Sequence, residues 1–338
     1  MKAAVLRAPY QLCLEDVPKP PLKAGDVLIR VKASAVCGTD VSIYKGLEPC
    51  TFPVIQGHES TGEVVEVGKE ATGLAVGDRV VLASIIFCRH CSYCYSGKGN
   101  LCTHGGLLGR EVPGSFAEYV SVPDYNAIKM PESISYETGT HLVALATVYV
   151  AQQKISITPG QRVAVIGQGT TGLMHTRISA LSGAMPVYAI DLSQWKLDIA
   201  QQYGAVPVNA SRVDPVEYIK DGTGGEGVDL VIEAVGGGAT LRQAMEMVKP
   251  GGTVLCFGIL PPRVDDFYGY AMYFKEITLV GSRSVTHRGF ELGVNLLQNG
   301  LFNGDPLITH RFTLDQVRDA LELVSNQPGD VLRAVISH

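Results

Sequence analysis

A run of four closely spaced cysteines constrains the fold of this chain more than any other feature of its sequence. The cysteines follow the pattern C-x2-C-x2-C-x7-C between residues 88 and 102. A zinc ion that stabilises a fold binds four nitrogen or sulfur ligands, whereas a catalytic zinc keeps one position open for substrate. Four thiolates leave no open position, so the pattern predicts a structural zinc loop, with inert buried thiols as the alternative. The predicted ligands are Cys88, Cys91, Cys94 and Cys102.

The composition is that of a globular protein with two domains. The 338 residues are 46% apolar and 18% charged, which is enough apolar material for substantial buried cores. A net charge of −5 provides no basic surface, so we expect neither a nucleic-acid nor a membrane partner. The first residues do not have the pattern of a signal peptide. The eight cysteines therefore indicate metal ligands in a reducing cytoplasm rather than disulfides.

Two patterns of secondary structure succeed one another along the chain. Short β segments separated by glycine and proline fill residues 1 to about 130. The run Arg162-Val163-Ala164-Val165-Ile166 is short and apolar after its first residue, as expected of a strand buried on both faces of a parallel sheet. Helical stretches and further apolar strands follow it in βαβ alternation, and a mixed pattern returns after about Ser284. The sequence therefore predicts a doubly wound parallel sheet combined with a β-rich, barrel-like region.

A glycine-rich turn after the first apolar strand predicts a dinucleotide site. Gly167, Gly169 and Gly172 follow the pattern G-x-G-x-x-G, and Asp191 ends the next strand, 191 − 172 = 19 residues later. The first glycine allows a tight turn, the second lets the pyrophosphate approach the backbone, and the third lets the helix pack on the strand. A carboxylate at this distance accepts the ribose hydroxyls of NAD and repels the 2′-phosphate of NADP. We therefore expect NAD.

Several short motifs together resemble the medium-chain zinc alcohol dehydrogenases, in particular their polyol (sorbitol-like) and threonine dehydrogenase branch. The resemblance extends over essentially the whole chain. It implies a GroES-like catalytic domain built from residues 1–150 and 284–338, a Rossmann NAD-binding domain over residues 151–283, and a homodimer or homotetramer. The motifs are Cys37-Gly38-Thr39-Asp40, Gly57-His58-Glu59, Gly77-Asp78-Arg79-Val80, the cysteine run with Gly97-x-x-Asn100-x-Cys102, the glycine-rich turn with Asp191, and Leu307-Ile308-Thr309-His310-Arg311-Phe312.

The resemblance also implies a second, catalytic zinc that Cys37 and His58 bind, with Asp40 orienting the histidine. Members of the family usually supply a further carboxylate or cysteine just before the helix that links the domains. In this chain that position falls on Val143, which cannot bind a metal. The valine is the main departure of this sequence from the family pattern.

Two residues are candidates for the missing metal ligand. In polyol dehydrogenases the glutamate beside the ligand histidine can bind zinc directly, and here that residue is Glu59. The alternative is His141, two residues before Val143, although a histidine beside an apolar helix start is more often a packed or surface residue. We expect Cys37, His58 and Glu59 to hold the catalytic zinc, more loosely than is usual.

The reaction that the resemblance implies is hydride transfer from an alcohol to NAD. Zinc lowers the pKa of the substrate hydroxyl, and the protein positions the carbinol carbon against the nicotinamide. The proton relay of the family begins at a hydroxyl two residues after the ligand cysteine, which is Thr39 here. It often ends on a histidine at the position of Ser42, which cannot titrate near neutral pH. The proton must therefore leave through the ribose and water or through another group.

Further contacts to cofactor and substrate are expected by the same reasoning. Thr170 and Thr171 begin the helix after the glycine turn, where unpaired N–H groups attract phosphate. Lys196 is expected at the ribose edge, and the resemblance adds Thr147, Gly258, Ile259, Ser282 and Arg283 to the cofactor site. The expected substrate contacts are mostly polar or charged, namely Tyr44, Lys45, Glu48, Phe52 and Arg110.

The polar character of the expected substrate contacts favours a polar secondary alcohol. We predict NAD- and zinc-dependent oxidation of a polyol, sugar alcohol or cyclitol to a ketone. Dehydrogenation of a threonine-type 3-hydroxy amino acid is the alternative. A cofactor-binding structural or regulatory protein remains a third possibility, because Val143 and Ser42 both depart from the reactive pattern.

Overall fold

The computed structural model describes residues 1–265 and 267–338, which form two compact units. Unit 1 contains residues 1–147 and 284–338, and unit 2 contains residues 148–283. The first part of the chain, up to residue 152, consists of short strands and a few helices. Its strands are β1 (Lys2–Leu6), β2 (Leu12–Asp16), β3 (Asp26–Ala35), β4 (Val54–Ile55), β5 (Glu59–Val67), β6 (Arg79–Leu82), β7 (Ile85–Ile86), β8 (Gly106–Leu107), β9 (Tyr119–Pro123) and β10 (Ala127–Lys129). Its helices are α1 (Gly38–Tyr44), α2 (Ser92–Tyr95), α3 (Tyr136–Gly139) and α4 (His141–Gln152).

The rest of the chain alternates longer helices with strands. The strands of unit 2 are β11 (Val163–Ile166), β12 (Val187–Asp191), β13 (Val206–Asn209), β14 (Val228–Glu233), β15 (Val248–Cys256) and β16 (Thr278–Gly281). Its own helices are α5 (Thr170–Leu181), α6 (Gln194–Gln202), α7 (Pro215–Gly222), α8 (Gly238–Met247) and α9 (Gly269–Phe274). The final part adds α10 (His287–Gln298), β17 (Ile308–Thr313), α11 (Val317–Asn326) and β18 (Arg333–Ser337). Within the described ranges, no helix has the length and hydrophobicity that crossing a membrane would require.

The six strands of unit 2 form one parallel sheet in the order β13-β12-β11-β14-β15-β16. Residues Val163–Ile166 of β11 are all at most 3% exposed, because helices that follow the strands cover both faces of such a sheet. The strand order reverses between β11 and β14, and ligands of this type of fold bind where it reverses. The predicted doubly wound sheet is therefore confirmed.

Unit 1 is built around a mixed sheet in the order β10-β6-β5-β3-β18-β17, with β9 also pairing with β3. The apolar residues of β3 and β5 that point inward, such as Val27, Ile29 and Val64, are fully buried. Two smaller sheets, β2-β1-β4 and β7-β8, also belong to the β-rich region. This confirms the predicted β-rich region, and both ends of the chain contribute to one unit.

Two helices near the end of the chain differ in their bounds from the pattern-based prediction. The periodicity predicts helices over residues 290–299 and 314–324, but the first begins three residues earlier, at His287. The second begins later, because Leu314–Gln316 form a 3₁₀ turn before α11. The side chains of Thr313 and Gln316 bond to each other's backbone N–H groups, and this capping box holds the tighter turn.

Candidate active site

Strand register brings three distant segments together at one end of the central strands of the unit 1 sheet. β3 runs antiparallel to β5, so that Ala35 near the end of β3 faces Glu59 at the start of β5. β18 also runs antiparallel to β3, with Val335 facing Ala35. Cys37 follows β3 by two residues, and Arg333 is the first residue of β18. Side chains from these strand ends therefore meet although they are far apart in the sequence.

Cys37, His58 and Glu59 form a group of potential metal ligands at this end of the strands. One ligand atom from each lies within 4.8 Å of the others. His58 is 5% exposed and Glu59 is 6% exposed, so water hardly reaches the two side chains. Three donors of this kind suit a zinc ion that keeps its fourth position open. Among the residues that the structure describes, this group does not include His141.

Asp40 links the two segments that carry Cys37 and His58. Its carboxylate is fully buried and accepts hydrogen bonds from the backbone N–H groups of Cys37, at 2.9 Å, and Gly57, at 3.2 Å. Nδ1 of His58 lies 3.3 Å from the same carboxylate. This contact leaves Nε2 as the imidazole nitrogen for a metal. Burial alone would lower the pKa of His58, but the negative charges of Asp40 and Cys37 raise it well above its ordinary value. A dication would replace that proton.

Arg333 is a site residue that the sequence reasoning missed. Its guanidinium lies 2.8 Å from the carboxylate of Glu59, and both side chains are less than a tenth exposed. It also donates hydrogen bonds to the hydroxyl and the backbone carbonyl of Thr140. A buried carboxylate needs a partner charge, and Arg333 supplies one behind Glu59. The only feature of the sequence that could have indicated this site residue is a single arginine at the start of the apolar run of the last strand.

His141 and Val143 pack into the interior of unit 1. His141 is fully buried, and its ring lies edge-to-face against Phe302, with 6.2 Å between the ring centres. Burial, and then the positive charge of Arg333, lower the pKa of His141 well below its ordinary value. Val143 belongs to an apolar cluster with Leu142, Ala146 and Phe290. The alternative ligand His141 therefore lies outside the metal group, and an apolar side chain occupies the position where the family usually has a carboxylate or cysteine.

Thr39 and Ser42, the residues of the expected proton relay, lie in helix α1. Both side chains are partly exposed, and their spacing of three puts them on the same face of the helix. Asp40, between them, faces the interior. The hydroxyls of Thr39 and Ser42 can exchange protons with water or with a bound molecule, but neither group titrates near neutral pH.

The four cysteines of the loop at residues 88–102 form the second group of potential ligands. The sulfur–sulfur distances are 3.9 Å for Cys88–Cys94, 3.5 Å for Cys91–Cys94 and 3.9 Å for Cys91–Cys102. Four sulfurs about 2.3 Å from a tetrahedral zinc lie about 3.8 Å apart, so the spacing fits the ion. The backbone N–H groups of Cys88 and His104 also point at the sulfur of Cys102. His90 and His104 are exposed, as expected of surface residues.

The glycine-rich turn of unit 2 has the three properties that its sequence predicts. Gly167 has a φ of +89°, and a side chain there would lie 2.6 Å from Val235. A Cβ on Gly172 would lie 1.8 Å from the carbonyl oxygen of Gly167, so helix and turn are in direct contact. At Gly169 the space is open, with nothing within 4 Å of a Cβ. A phosphate group can therefore approach the backbone at Gly169, where α5 begins with Thr170 and Thr171.

Asp191 lies beside this turn at the end of β12. One oxygen of its carboxylate accepts a hydrogen bond from the backbone of Gln168, at 2.6 Å, and the other accepts one from Ser193, at 2.9 Å. The side chain is only partly buried, and a carboxylate has lone pairs left for ribose hydroxyls. Lys196 is 6% exposed and lies over the ring of Trp195, with Nζ 5.6 Å from the ring centre.

The remaining cofactor candidates are spread over several loops and one helix. Gly258 is packed so closely against the turn after β14 that a Cβ there would lie 2.1 Å from the backbone nitrogen of Gly236. Ile259, the next residue, is 75% exposed. Ser282 and Arg283 follow β16 directly. Thr147 lies in α4, where its hydroxyl donates to the carbonyl of Val143 at 2.9 Å.

The expected substrate contacts separate into core residues and an ion pair. Tyr44 is 2% exposed in an apolar core that also includes Phe52, and its hydroxyl lies 3.2 Å from Glu322. The prediction that Tyr44 contacts substrate is therefore wrong, because α1 turns this residue toward the interior. Arg110 pairs with Glu111 at 2.7 Å and with Glu48 at 3.3 Å, and the side chains of Arg110 and Glu48 are each about one-fifth exposed. Lys45 is the C-cap residue that follows α1, and it is partly exposed.

Comparisons with known proteins agree with this geometry. The sequence model of a family described as alcohol dehydrogenase GroES-like domain matches residues 23–132, and that of zinc-binding dehydrogenase matches residues 170–299. The chain is 36% identical to an L-threonine 3-dehydrogenase from Pyrococcus abyssi over 319 residues, covering 91% of this chain and 90% of that protein.

Solved structures show the same similarity over the full length. The alcohol dehydrogenase TADH from Thermus sp. ATN1 is 32% identical and superimposes with a TM-score of 0.92, covering 100% of this chain and 99% of that one. The 2R,3R-butanediol dehydrogenase from Bacillus subtilis is 29% identical, with a TM-score of 0.90 and the same coverage.

Proposed function

Because this chain belongs to the zinc-dependent medium-chain alcohol dehydrogenase family, we propose that it oxidises the 3-hydroxyl group of a threonine-type hydroxy amino acid. It is an NAD-dependent, zinc-containing oxidoreductase that acts on CH–OH donors. The choice of substrate within that class is the new element of the proposal. The similarity to an L-threonine 3-dehydrogenase over 91% of the chain supports it.

The ion pair of Glu48 and Arg110 is the observation that carries this choice. Arg110 follows Gly109, and a Cβ on Gly109 would lie 2.7 Å from the backbone nitrogen of Gly57. The loop that bears Arg110 is therefore in contact with the segment that bears His58. Arg110 also pairs with Glu111, at 2.7 Å, so its guanidinium lies between two carboxylates. The ammonium and carboxylate groups of an amino acid can exchange partners with such a charged group of side chains. A simple aliphatic alcohol has no group for either charge.

The residues around the metal group have separable tasks. Zinc bound by Cys37, His58 and Glu59 would supply a Lewis acid for the alcohol oxygen. Asp40 fixes the orientation of His58 through its buried carboxylate. Arg333 neutralises part of the charge of the buried Glu59 carboxylate, 2.8 Å away. Thr39 accepts the hydroxyl proton at Oγ1 and passes it on to water or a ribose hydroxyl, because Ser42 cannot hold it.

The coenzyme preference rests on Asp191. Its carboxylate lies beside the turn that would bind the pyrophosphate, where it accepts ribose hydroxyls and repels a 2′-phosphate. Replacing Asp191 by Ser should raise the ratio of kcat/KM for NADP over NAD at least tenfold, about 1.4 kcal/mol. Initial rates with both coenzymes test this, with Asp198→Ser on the next helix as a matched control. A wild-type preference for NADP would contradict the assignment.

Oxidation of a diol or polyol is the second candidate function. It is favoured by the position of Glu59 among the metal donors, because in polyol dehydrogenases the glutamate beside the ligand histidine can bind zinc directly. The similarity to a 2R,3R-butanediol dehydrogenase points the same way. Both candidates share the metal group, so they differ only in the role of Glu48 and Arg110.

A substrate panel with an Arg110 variant tests the proposal. NADH release from zinc-loaded enzyme is measured with L-threonine, L-serine, 2R,3R-butanediol, sorbitol and myo-inositol. We expect the highest kcat/KM for L-threonine. Arg110→Gln should lower it roughly 10- to 100-fold, because a hydrogen bond to a charged group is worth about 1.5–3 kcal/mol. The same variant should hardly affect the diol.

The exposed ion pair of Arg242 and Glu246 provides a matched control, since Arg242→Gln removes the same charge from unit 2. A diol or polyol used at least tenfold better than L-threonine would replace the first candidate by the second. Turnover of L-threonine that does not respond to Arg110→Gln would refute the role of the ion pair.

A further inference from the structure

Glu233 is a buried carboxylate that the reaction described above does not use. It is the last residue of β14 and is fully buried. Its Oε1 accepts hydrogen bonds from the backbone N–H groups of Val235 and Gly236, both at 2.9 Å, and from the hydroxyl of Thr240 at 2.8 Å. Its Oε2 lies 3.1 Å from the N–H of Gly236. All of these neighbours offer N–H or O–H groups, which is the environment of an ionised carboxylate.

The same residue also anchors a second loop through its backbone. The carbonyl oxygen of Glu233 accepts hydrogen bonds from the N–H groups of Phe257 and Gly258, both at 2.9 Å. One residue therefore connects the turn after β14, the first turn of α8 through Thr240, and the turn after β15. These strands are neighbours in the parallel sheet, and their carboxyl ends share one edge.

The turn at residues 235–237 lies between the glycine-rich turn and the Gly258–Ile259 loop, the two segments expected to contact the coenzyme. On one side, Val235 fills the space that a side chain on Gly167 would need, at 2.6 Å. On the other side, a Cβ on Gly236 would lie 2.5 Å from the carbonyl oxygen of Ile259. The position of this turn thus sets the spacing between the glycine-rich turn and the Gly258–Ile259 loop. This is the point where the strand order reverses and where ligands of such sheets bind.

We propose that Glu233 positions the nicotinamide half of the coenzyme through the 235–237 turn, and that its negative charge favours the oxidised form. The nicotinamide ring is cationic in NAD and neutral in NADH, so a buried anion near it stabilises only the former. A carboxylate with no bulk water around it is screened little. The inference rests on the assignment of the coenzyme to unit 2 and does not depend on which alcohol is oxidised.

The negative charge of Glu233 affects the pKa of a neighbouring side chain. Cys256 ends β15, which pairs with β14, and Glu233 faces Cys256 in the register of the two strands. Burial, and then the negative charge of Glu233, raise the pKa of the Cys256 thiol. Groups on the adjacent strand therefore experience this carboxylate.

Binding measurements with three ligands separate a charge effect from a structural one. The dissociation constants of NAD, NADH and ADP-ribose are measured by calorimetry on wild type, Glu233→Gln, Glu233→Asp and Thr240→Ala. Glu233→Gln removes the charge at constant size, so the ratio of the dissociation constants of NAD and NADH should rise about tenfold. ADP-ribose, which lacks the nicotinamide, should bind almost as in wild type.

The two other variants keep the charge and alter the position. Glu233→Asp withdraws the carboxylate from the turn, and Thr240→Ala removes one of its donors. Both should weaken NAD and NADH binding by the same factor, about threefold or more, with the ratio of the two unchanged. Glu226→Gln, which removes an exposed carboxylate of the same unit, is the matched control and should change nothing.

Three outcomes would overturn the proposal. Equal weakening of NAD, NADH and ADP-ribose in Glu233→Gln would show a purely structural role. If Glu233→Gln does not fold, the other two variants decide. A changed ratio of the dissociation constants of NAD and NADH in Glu233→Asp or Thr240→Ala would contradict the proposal. Unchanged affinity for both coenzymes in both variants would contradict it as well. A failure of the substrate panel would leave these binding results untouched, so the two proposals can fail separately.

Discussion

The two candidate zinc clusters of unit 1 place their donors in opposite environments. The four cysteines of one cluster come from a single loop, and all are partly exposed. The donors of the other cluster come from two separate segments, and two of them, His58 and Glu59, are buried. A shell of four thiolates needs no further partner and closes the loop around the ion. A set of three donors in the interior needs charged side chains beside it, and it leaves the fourth position of the zinc open for an oxygen ligand.

This difference shows where each cluster obtains its geometry. The loop obtains it from local spacing, helped by positive φ angles of 65° at Arg89 and 72° at Gly97 that reverse the chain. The buried cluster obtains it from the register of β3, β5 and β18, and from Asp40 and Arg333. Changes in the loop should therefore act mainly on stability, and changes in the buried cluster should act mainly on turnover.

The largest expected effect is that of Cys37→Ala. It removes one of three donors, so turnover should fall by at least about a thousandfold while the four-cysteine zinc and the fold remain. Elemental analysis should give a zinc content that falls from two to one per chain. Cys13→Ala, at an exposed cysteine, is the control. Full activity of Cys37→Ala with one zinc retained would break the distinction between the clusters.

Glu59→Ala should be nearly as damaging as the loss of His58. Two protein donors hold zinc weakly, so the buried cluster should lose its ion while the loop keeps its own. His141→Ala should leave the zinc content unchanged, because this ring packs against Phe302 outside the group. Zinc titration of the two variants measures the contrast. Loss of zinc from His141→Ala with Glu59→Ala fully loaded would reverse the assignment of the third donor.

Cys94→Ser should act on stability. The serine leaves three thiolates and one unfilled position, so the loop should open and the protein should lose about 3 kcal/mol or more. The zinc of the buried cluster should remain, and activity measured at low temperature should persist in part. Thermal unfolding followed together with zinc release tests this. A variant that stays as stable as wild type would show that the loop does not need a closed shell.

The contrast also explains how much of the molecule the sequence predicts. The cysteine loop and the glycine-rich turn are predictable because their interacting residues are neighbours in the chain, and Gly167, Gly169 and Gly172 have the predicted geometry. The pairing of Glu59 with Arg333 depends on the register of β18, which no local pattern encodes. The sequence therefore indicates three donors but not the charge that supports one of them.

Tyr44 shows a second limit of the sequence. Its residue type and its place near Cys37 suit a substrate contact, but α1 packs this residue with Val41 and Ile43 in a core that includes part of α11. Which face of a short helix is buried depends on what packs against it. A seven-residue helix is too short for its apolar periodicity to settle the question.

The smallest expected effect, and the sharpest probe of the buried cluster, is that of Arg333→Met. Removing one partner of a buried ion pair typically costs about 3–5 kcal/mol, because the other charge stays buried without compensation. Zinc would supply part of that compensation to Glu59. We therefore expect a loss of about 3 kcal/mol in metal-free protein and of roughly 1 kcal/mol in zinc-loaded protein. Denaturant unfolding of both forms measures the difference.

Arg311→Met provides the matched control for this prediction. Arg311 pairs with Glu137 at the same 2.8 Å, but the two side chains are 56% and 32% exposed. Exposed pairs of this kind contribute about 0–1 kcal/mol, with or without metal. The double variant Arg333→Met with Glu59→Gln should recover most of the lost stability, because it leaves no buried charge. Equal losses for Arg333→Met with and without zinc would mean that Glu59 interacts with the arginine alone, so that only Cys37 and His58 would bind the metal.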